Sequence, residues 1–227
     1  MPRDIPIIFS APMVRALLAG RKTMTRRLAW RWVKDRADRH LSVDDADGTH
    51  QPSFWQRVQP GDRLWVKEAW RVGAWSEDAE VAVDYRASPE LKNTPWMPVP
   101  GDRFDEFHRK ISDELRRLGV EHDADGNYDW KPGESPLCWR PSIYMPRWAS
   151  RLTLTVTETK VERLHAISEE DAQAEGVQHQ FGPDFIVPYA AAFAALWSKL
   201  HGEGAWEANP EVIALTFAVE QKNIDGR

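Results

Sequence analysis

Apolar and polar positions alternate over Ile5–Phe9 and predict a short strand. Ser10-Ala11-Pro12 then carries the marks of a helix start: a serine to accept backbone N–H groups, and a proline where no N–H is needed. Met13, Leu17 and Leu18 share one helical face, and Gly20 is the expected stop. Gln59-Pro60-Gly61-Asp62 reads as a turn into a strand over Arg63–Trp70, with Leu64, Val66 and Glu68 on one side. Phe104, Phe107, Ile111, Leu115 and Leu118 recur at helical spacing and predict a helix over 103–118, opened by Asp102 and closed by Gly119. Arg151–Leu164 alternates as a long strand. Its apolar side, Leu152, Leu154 and Val156, gives way at Glu158. Ser168-Glu169-Glu170-Asp171 opens a helix with Ile167 as its staple, and Gly176 ends it. A helix over Pro188–Leu200 turns Tyr189, Phe193, Leu196, Trp197 and Leu200 inward, and Glu211–Glu220 is a closing strand. Helices and strands interleave too irregularly for a doubly wound sheet. The expected class is α+β, a small mixed β-barrel flanked by helices.

A chain of 227 residues suffices for one sizeable core, so 1–227 is read as a single domain. Within it, about 71–138 forms a Pro-rich, acidic insertion. The net charge of −5 argues against a protein that coats nucleic acid. The charge is uneven, however. Residues 14–39 hold nine Lys/Arg against two acids, whereas 71–136 hold fifteen acids against nine bases. A basic segment on an acidic chain suits a phosphate, a nucleotide or a short RNA. Twelve tryptophans supply flat rings for stacking or for the core. Cys138 is the only cysteine, which excludes an internal disulfide and a four-cysteine zinc site. Flanked by Leu137 and Trp139, it is expected to pack as a small apolar residue. Met1–Val14 lacks the apolar run of a secretory leader, and Tyr189–Trp197 is too short to span a bilayer. The expected location is the cytoplasm, with no membrane partner.

The seven histidines are scattered without metal-ligand spacing, and no nucleophile elbow or phosphate loop is present. No metal and no cofactor are expected. Lys22 and Thr25 are the first candidate pair. A hydroxyl becomes a nucleophile when a base takes its proton, and a lysine serves as that base where burial or nearby cations lower its pKa. Arg21, Arg26 and Arg27 are such cations. The odd spacing separates Lys22 and Thr25 on a regular strand, so they meet only at a turn or helix end. Glu175, one residue before a helix-stopping glycine, sits where the helix dipole disfavours a fixed negative charge, a setting suited to proton exchange. Glu68 lies on an apolar strand face and needs a partner.

Gly20-Arg21-Lys22-Thr23-Met24-Thr25-Arg26-Arg27 after a short helix resembles the signature of the ASCH domain family, in the PUA-like superfamily. The Pro60-Gly61-Asp62 turn before a strand, the strand 151–164 leading into Ile167–Glu175, and the final strand are similar to its further landmarks. The resemblance covers the first 30 residues, about 59–70 and about 139–220; the 71–138 region resembles insertions of phage- and prophage-type members. It implies a PUA-like mixed β-barrel with a cleft. Some small bacterial members are metal-independent amidohydrolases that cleave N4-acylcytidines with a Lys, a Thr three residues on, and a Glu in the helix after the long strand. Those positions fall on Lys22, Thr25 and Glu175. The expected partner is a small nucleoside, with Arg26, Arg27 and Glu68 beside it and Trp70, Trp139 and Tyr144 as candidates to stack its base. A non-catalytic RNA- or nucleotide-binding module and a ribonuclease are the alternatives.

Overall fold

The computed structural model describes residues 2–32, 50–92, 95–178 and 187–226. In chain order the elements are β1 (Asp4–Ile8), α1 (Ala11–Leu18), β2 (Met24–Leu28), β3 (Trp30–Trp32), β4 (His50–Pro52), β5 (Arg63–Lys67), β6 (Trp70–Trp75), β7 (Glu80–Tyr85), β8 (Trp96–Pro98), α2 (Gly101–Arg117), β9 (Thr153–Arg163), α3 (Glu169–Ala174), α4 (Tyr189–His201) and β10 (Glu211–Glu220). The class is mixed α+β, and no barrel closure is found among the described residues. The part of the basic 14–39 segment beyond Trp32 lies outside the described residues.

Two compact units divide the chain. The first comprises Met1–Arg3, Ala16–Asp62 and Thr155–Val219; the second comprises Asp4–Arg15, Arg63–Leu154 and Glu220–Arg227. In the first, β9, β10 and β2 are successive neighbours, and β2 runs antiparallel to β10 with Thr25 opposite Leu215. The apolar face of β9 ends at Val156, and Glu158, next on that face, is exposed. Further along the same face Glu162 turns inward again. Ser168 caps α3, its hydroxyl accepting from the Asp171 N–H at 3.1 Å. Helices α3 and α4 pack together around Leu164, Ala172, Phe193, Trp197 and Val212. Leu200, expected inward, is exposed: it falls in the last turn of α4, beyond the reach of that cluster.

In the second unit β1 and β5 pair in parallel, Ile5 opposite Leu64 and Ile7 opposite Val66. The strand expected over 63–70 is broken, with β5 ending at Lys67 and β6 starting at Trp70. The 71–138 region is also more regular than its composition suggests. It holds an antiparallel sheet, β6-β7-β8, beside α2. The β7 residues Val81 to Tyr85 are all buried, so that strand has no polar side and offers no alternation to read. Ile111 and Leu115 of α2 join Trp70, Val83, Tyr85 and Met145 in the core of this unit. No helix among the described residues is long and apolar enough to cross a membrane.

Candidate functional site

The site begins where α1 stops. Gly20 takes φ +68°, and the N–H groups of Arg21 and Lys22 both donate to the Ala16 carbonyl, at 2.9 and 3.1 Å. This left-handed step sends the chain back along the helix end and into β2. Lys22 forms an antiparallel bridge with Glu175, and the Thr23 N–H donates to Ala174 O at 2.8 Å. The two segments approach closely because residue 176 is glycine. It has φ +85°, and a Cβ there would stand 2.8 Å from Lys22 Cβ and 2.9 Å from Ala16 Cβ.

This contact buries Lys22 and Glu175 side by side, 1% and 3% exposed. The Lys22 ammonium donates to Glu175 Oε2 at 2.9 Å, to Glu175 O at 2.8 Å and to Met24 O at 2.9 Å. These three acceptors match its three protons. Burial pushes the Lys22 pKa below its ordinary value; Glu175 opposes this, and Arg27 and Arg26 add to it. Thr25, buried in β2, adjoins the ammonium through the Met24–Thr25 peptide, whose carbonyl Lys22 binds.

Arg26 is the second cation of the cluster, its side chain fully enclosed. Its guanidinium donates to Glu162 Oε1 at 2.7 Å, to Asp171 Oδ2 at 2.6 Å and to Glu175 Oε1 at 3.3 Å. Glu175 therefore joins Lys22 through one oxygen and Arg26 through the other. Lys160 pairs with Glu162 at 2.7 Å, so three carboxylates face three cations. Burial alone would raise the Glu162 pKa, but Lys160 and Arg26 bring it below the usual value. Arg27 lies with its guanidinium 5.6 Å from the Trp55 ring centroid. Burial lowers its pKa against the pull of Glu175.

A cleft of about 500 Å³ opens beside this cluster, lined by Arg21, Thr23, Gln173, Ala174, Val177 and Tyr189 among others. Its walls include the neighbours in sequence of both Lys22 and Glu175, whereas Lys22, Thr25 and Glu175 lie buried behind them and do not line it. Arg21 reaches across to the Gly176 carbonyl at 3.3 Å.

Lys22, Thr25, Arg26, Arg27 and Glu175 all belong to the first unit. Glu68, Trp70, Trp139 and Tyr144 belong to the second, where each has its own surroundings. Arg151 takes both oxygens of Glu68, at 2.9 and 3.0 Å. Burial raises the Glu68 pKa despite that arginine. Trp70 is buried, edge-on to Trp148 at 5.9 Å with Arg140 over its ring; a ring so placed packs the core rather than offering a face to a ligand. Trp139 is half-buried beneath Arg71 and Arg86, and Tyr144 is exposed. Cys138, expected to pack, is exposed too: the inward position of that extended segment belongs to Leu137.

Sequence reasoning missed Glu162 and Asp171. An inward carboxylate needs a partner, and Glu162 is buried on its strand just as Glu68 is. Asp171 was visible only as part of a helix cap. No protein-family profile, no curated protein and no solved structure matches this chain.

Proposed function

We propose that the protein is a metal-independent amidohydrolase that releases the acyl group from N4-acylated cytosine nucleosides or bases, on a PUA-like scaffold. The observation that supports this most is the buried Lys22–Glu175 pair at 2.9 Å, with the Lys22 ammonium on the peptide of Thr25. Burial shifts Lys22 toward the neutral amine, the form that a general base must take. In the proposed cycle neutral Lys22 takes the Thr25 Oγ proton as that oxygen attacks the acyl carbonyl. The C–N4 bond breaks, and Lys22 returns the proton to the leaving exocyclic amine. Water then cleaves the acyl-threonine ester and releases the carboxylic acid. Glu175 orients Lys22 through both catalytic halves. The cleft volume falls in the range of ~300–1,000 Å³ typical of small-molecule sites.

The test is incubation with N4-acetylcytidine and N4-benzoylcytidine, with cytidine release followed by chromatography. Thr25→Ala and Lys22→Met should each lower turnover by roughly a thousandfold or more, with circular dichroism confirming that both variants fold. No cytidine from either substrate, or a Thr25→Ala protein keeping about a tenth of the activity, overturns the mechanism. Salt-dependent binding of a single-stranded oligoribonucleotide without cytidine release would select a non-catalytic RNA-binding module, for which the exposed Arg21 and Thr23 are the natural contacts.

A further inference from the structure

The second unit contains a cavity of about 440 Å³ that the proposed hydrolysis does not use. Its walls are aromatic: Trp75, Tyr128, Trp130, Phe104 and His108. All but His108 are half-buried, so the rings are anchored in the core of the unit while still facing the cavity. The Trp130 indole N–H donates to the Gly73 carbonyl at 2.5 Å, which fixes its ring. The loop below is pinned as well, because the Asp123 carboxylate accepts from the N–H groups of Asp125 and Asn127 at 3.0 and 2.7 Å. Three further carboxylates, Glu77, Asp125 and Asp129, line the cavity, and no lysine or arginine does.

Ring orientation and charge together select the ligand. Trp75 meets Tyr128, Trp130 and His108 at the same interplanar angle of 63°, at centroid distances of 5.5 to 6.4 Å. A flat base needs two parallel walls with room between them. The parallel pair here, Phe104 and His108 at 8°, is already stacked on itself at 5.9 Å. Inclined rings suit a rounded group instead. The negative ring faces and the carboxylates favour a cation. Among the described residues no group of His, Cys, Asp or Glu converges as a metal site, so a bare divalent ion lacks its ligands. A cation with an apolar surface of its own satisfies both the rings and the acids.

We infer that this cavity binds an alkylated ammonium group, held by cation–π contact with Trp75, Tyr128 and Trp130 and by the charge of Glu77, Asp125 and Asp129. Either a free quaternary amine or a methylated lysine side chain presents that chemistry. The experiment titrates the full chain with choline, with Nε-trimethyl-lysine amide, with calcium chloride and with 3,3-dimethylbutan-1-ol, the uncharged carbon analogue of choline. Binding is read by calorimetry and by tryptophan fluorescence. Choline or trimethyl-lysine should bind saturably, and the neutral alcohol should bind at least about tenfold more weakly. Tighter binding of choline assigns a free amine, and tighter binding of trimethyl-lysine assigns a modified protein. Trp75→Ala should abolish binding. The Glu77→Gln/Asp129→Asn double variant, altered only at exposed positions, should weaken it about fivefold without disturbing the fold. Equal binding of the neutral alcohol, saturation by calcium alone, no binding of either ammonium probe, or unchanged affinity in the double variant overturns the inference.

Discussion

Gly176→Ala is the most direct probe of how the Lys22–Glu175 contact is built. Two separate penalties apply. The first is conformational: an L residue at φ +85° costs about 1 kcal/mol relative to glycine. The second is steric. The new methyl would stand 2.8 Å from Lys22 Cβ and 2.9 Å from Ala16 Cβ. Both neighbours are rooted on the backbone and cannot swing aside, so the segments must part, at about 1–3 kcal/mol for overpacking. The expected total is about 2–4 kcal/mol. Gly20→Ala is the matched control. Its φ is +68°, yet a Cβ there meets nothing within 4 Å, so only the first penalty applies. Urea unfolding followed by circular dichroism should therefore place Gly176→Ala about 1–3 kcal/mol below Gly20→Ala. At about 2–4 °C per kcal/mol for a chain of this size, melting temperatures should separate as well. Gly176→Ala should also lose hydrolysis, because parting the segments moves Lys22 from Glu175. Equal stabilities for the two variants would refute the close-approach argument.

Arg26→Met should cost about 3–5 kcal/mol by denaturant midpoint, because it takes the donor from Glu162 Oε1 and Glu175 Oε1 in the interior and leaves each carboxylate with one lysine; a loss under about 1 kcal/mol would mean that the cluster is not a unit. The hydrolytic rate should rise with pH as Lys22 loses its proton. Arg27→Gln should move that rise to higher pH, since the Arg27 charge helps hold the Lys22 pKa down, and Glu175→Gln should move it lower; shifts of the opposite sign contradict Lys22 as base. Burial acts to raise the Asp62 pKa, but hydrogen bonds from Arg3 and from the Gln59 N–H bring it below 3.8. The stability this gives is present above the unfolded value and lost as pH falls through the folded one. Asp62→Asn should therefore flatten the decline in urea midpoint between about pH 5 and pH 2, and an unchanged slope would exclude Asp62 as its cause.

Much of the frame was legible because its signals are local. Gly20 and Gly176 each stop a helix by taking positive φ, a property of the residue itself. Ser168 caps α3 through a neighbour three positions on. The Lys22 and Glu175 positions followed from these punctuation marks and from the resemblance. The partners of Arg26 did not, because Glu162 and Asp171 come from β9 and α3, and no spacing in the chain announces that these elements meet β2. The sheet inside 71–138 was hidden by full burial, since β7 lacks the alternation that marks a half-buried strand. Leu200 misled for the reverse reason: helical periodicity continues through a final turn even where the surface it would cover has ended.

The Lys22–Glu175 bond spans 153 residues of chain. Between its halves the ribosome must make all of 63–154, which belongs to the other unit. At about 5–20 residues per second, Lys22 is made about 8 to 30 seconds before its carboxylate exists. During that interval the first unit lacks α3 and β10, and the second lacks its closing segment Glu220–Arg227, so neither unit is complete. The charge cluster therefore waits for Glu175, while β10, which pairs with β2, and Glu220–Arg227 of the second unit are made later still.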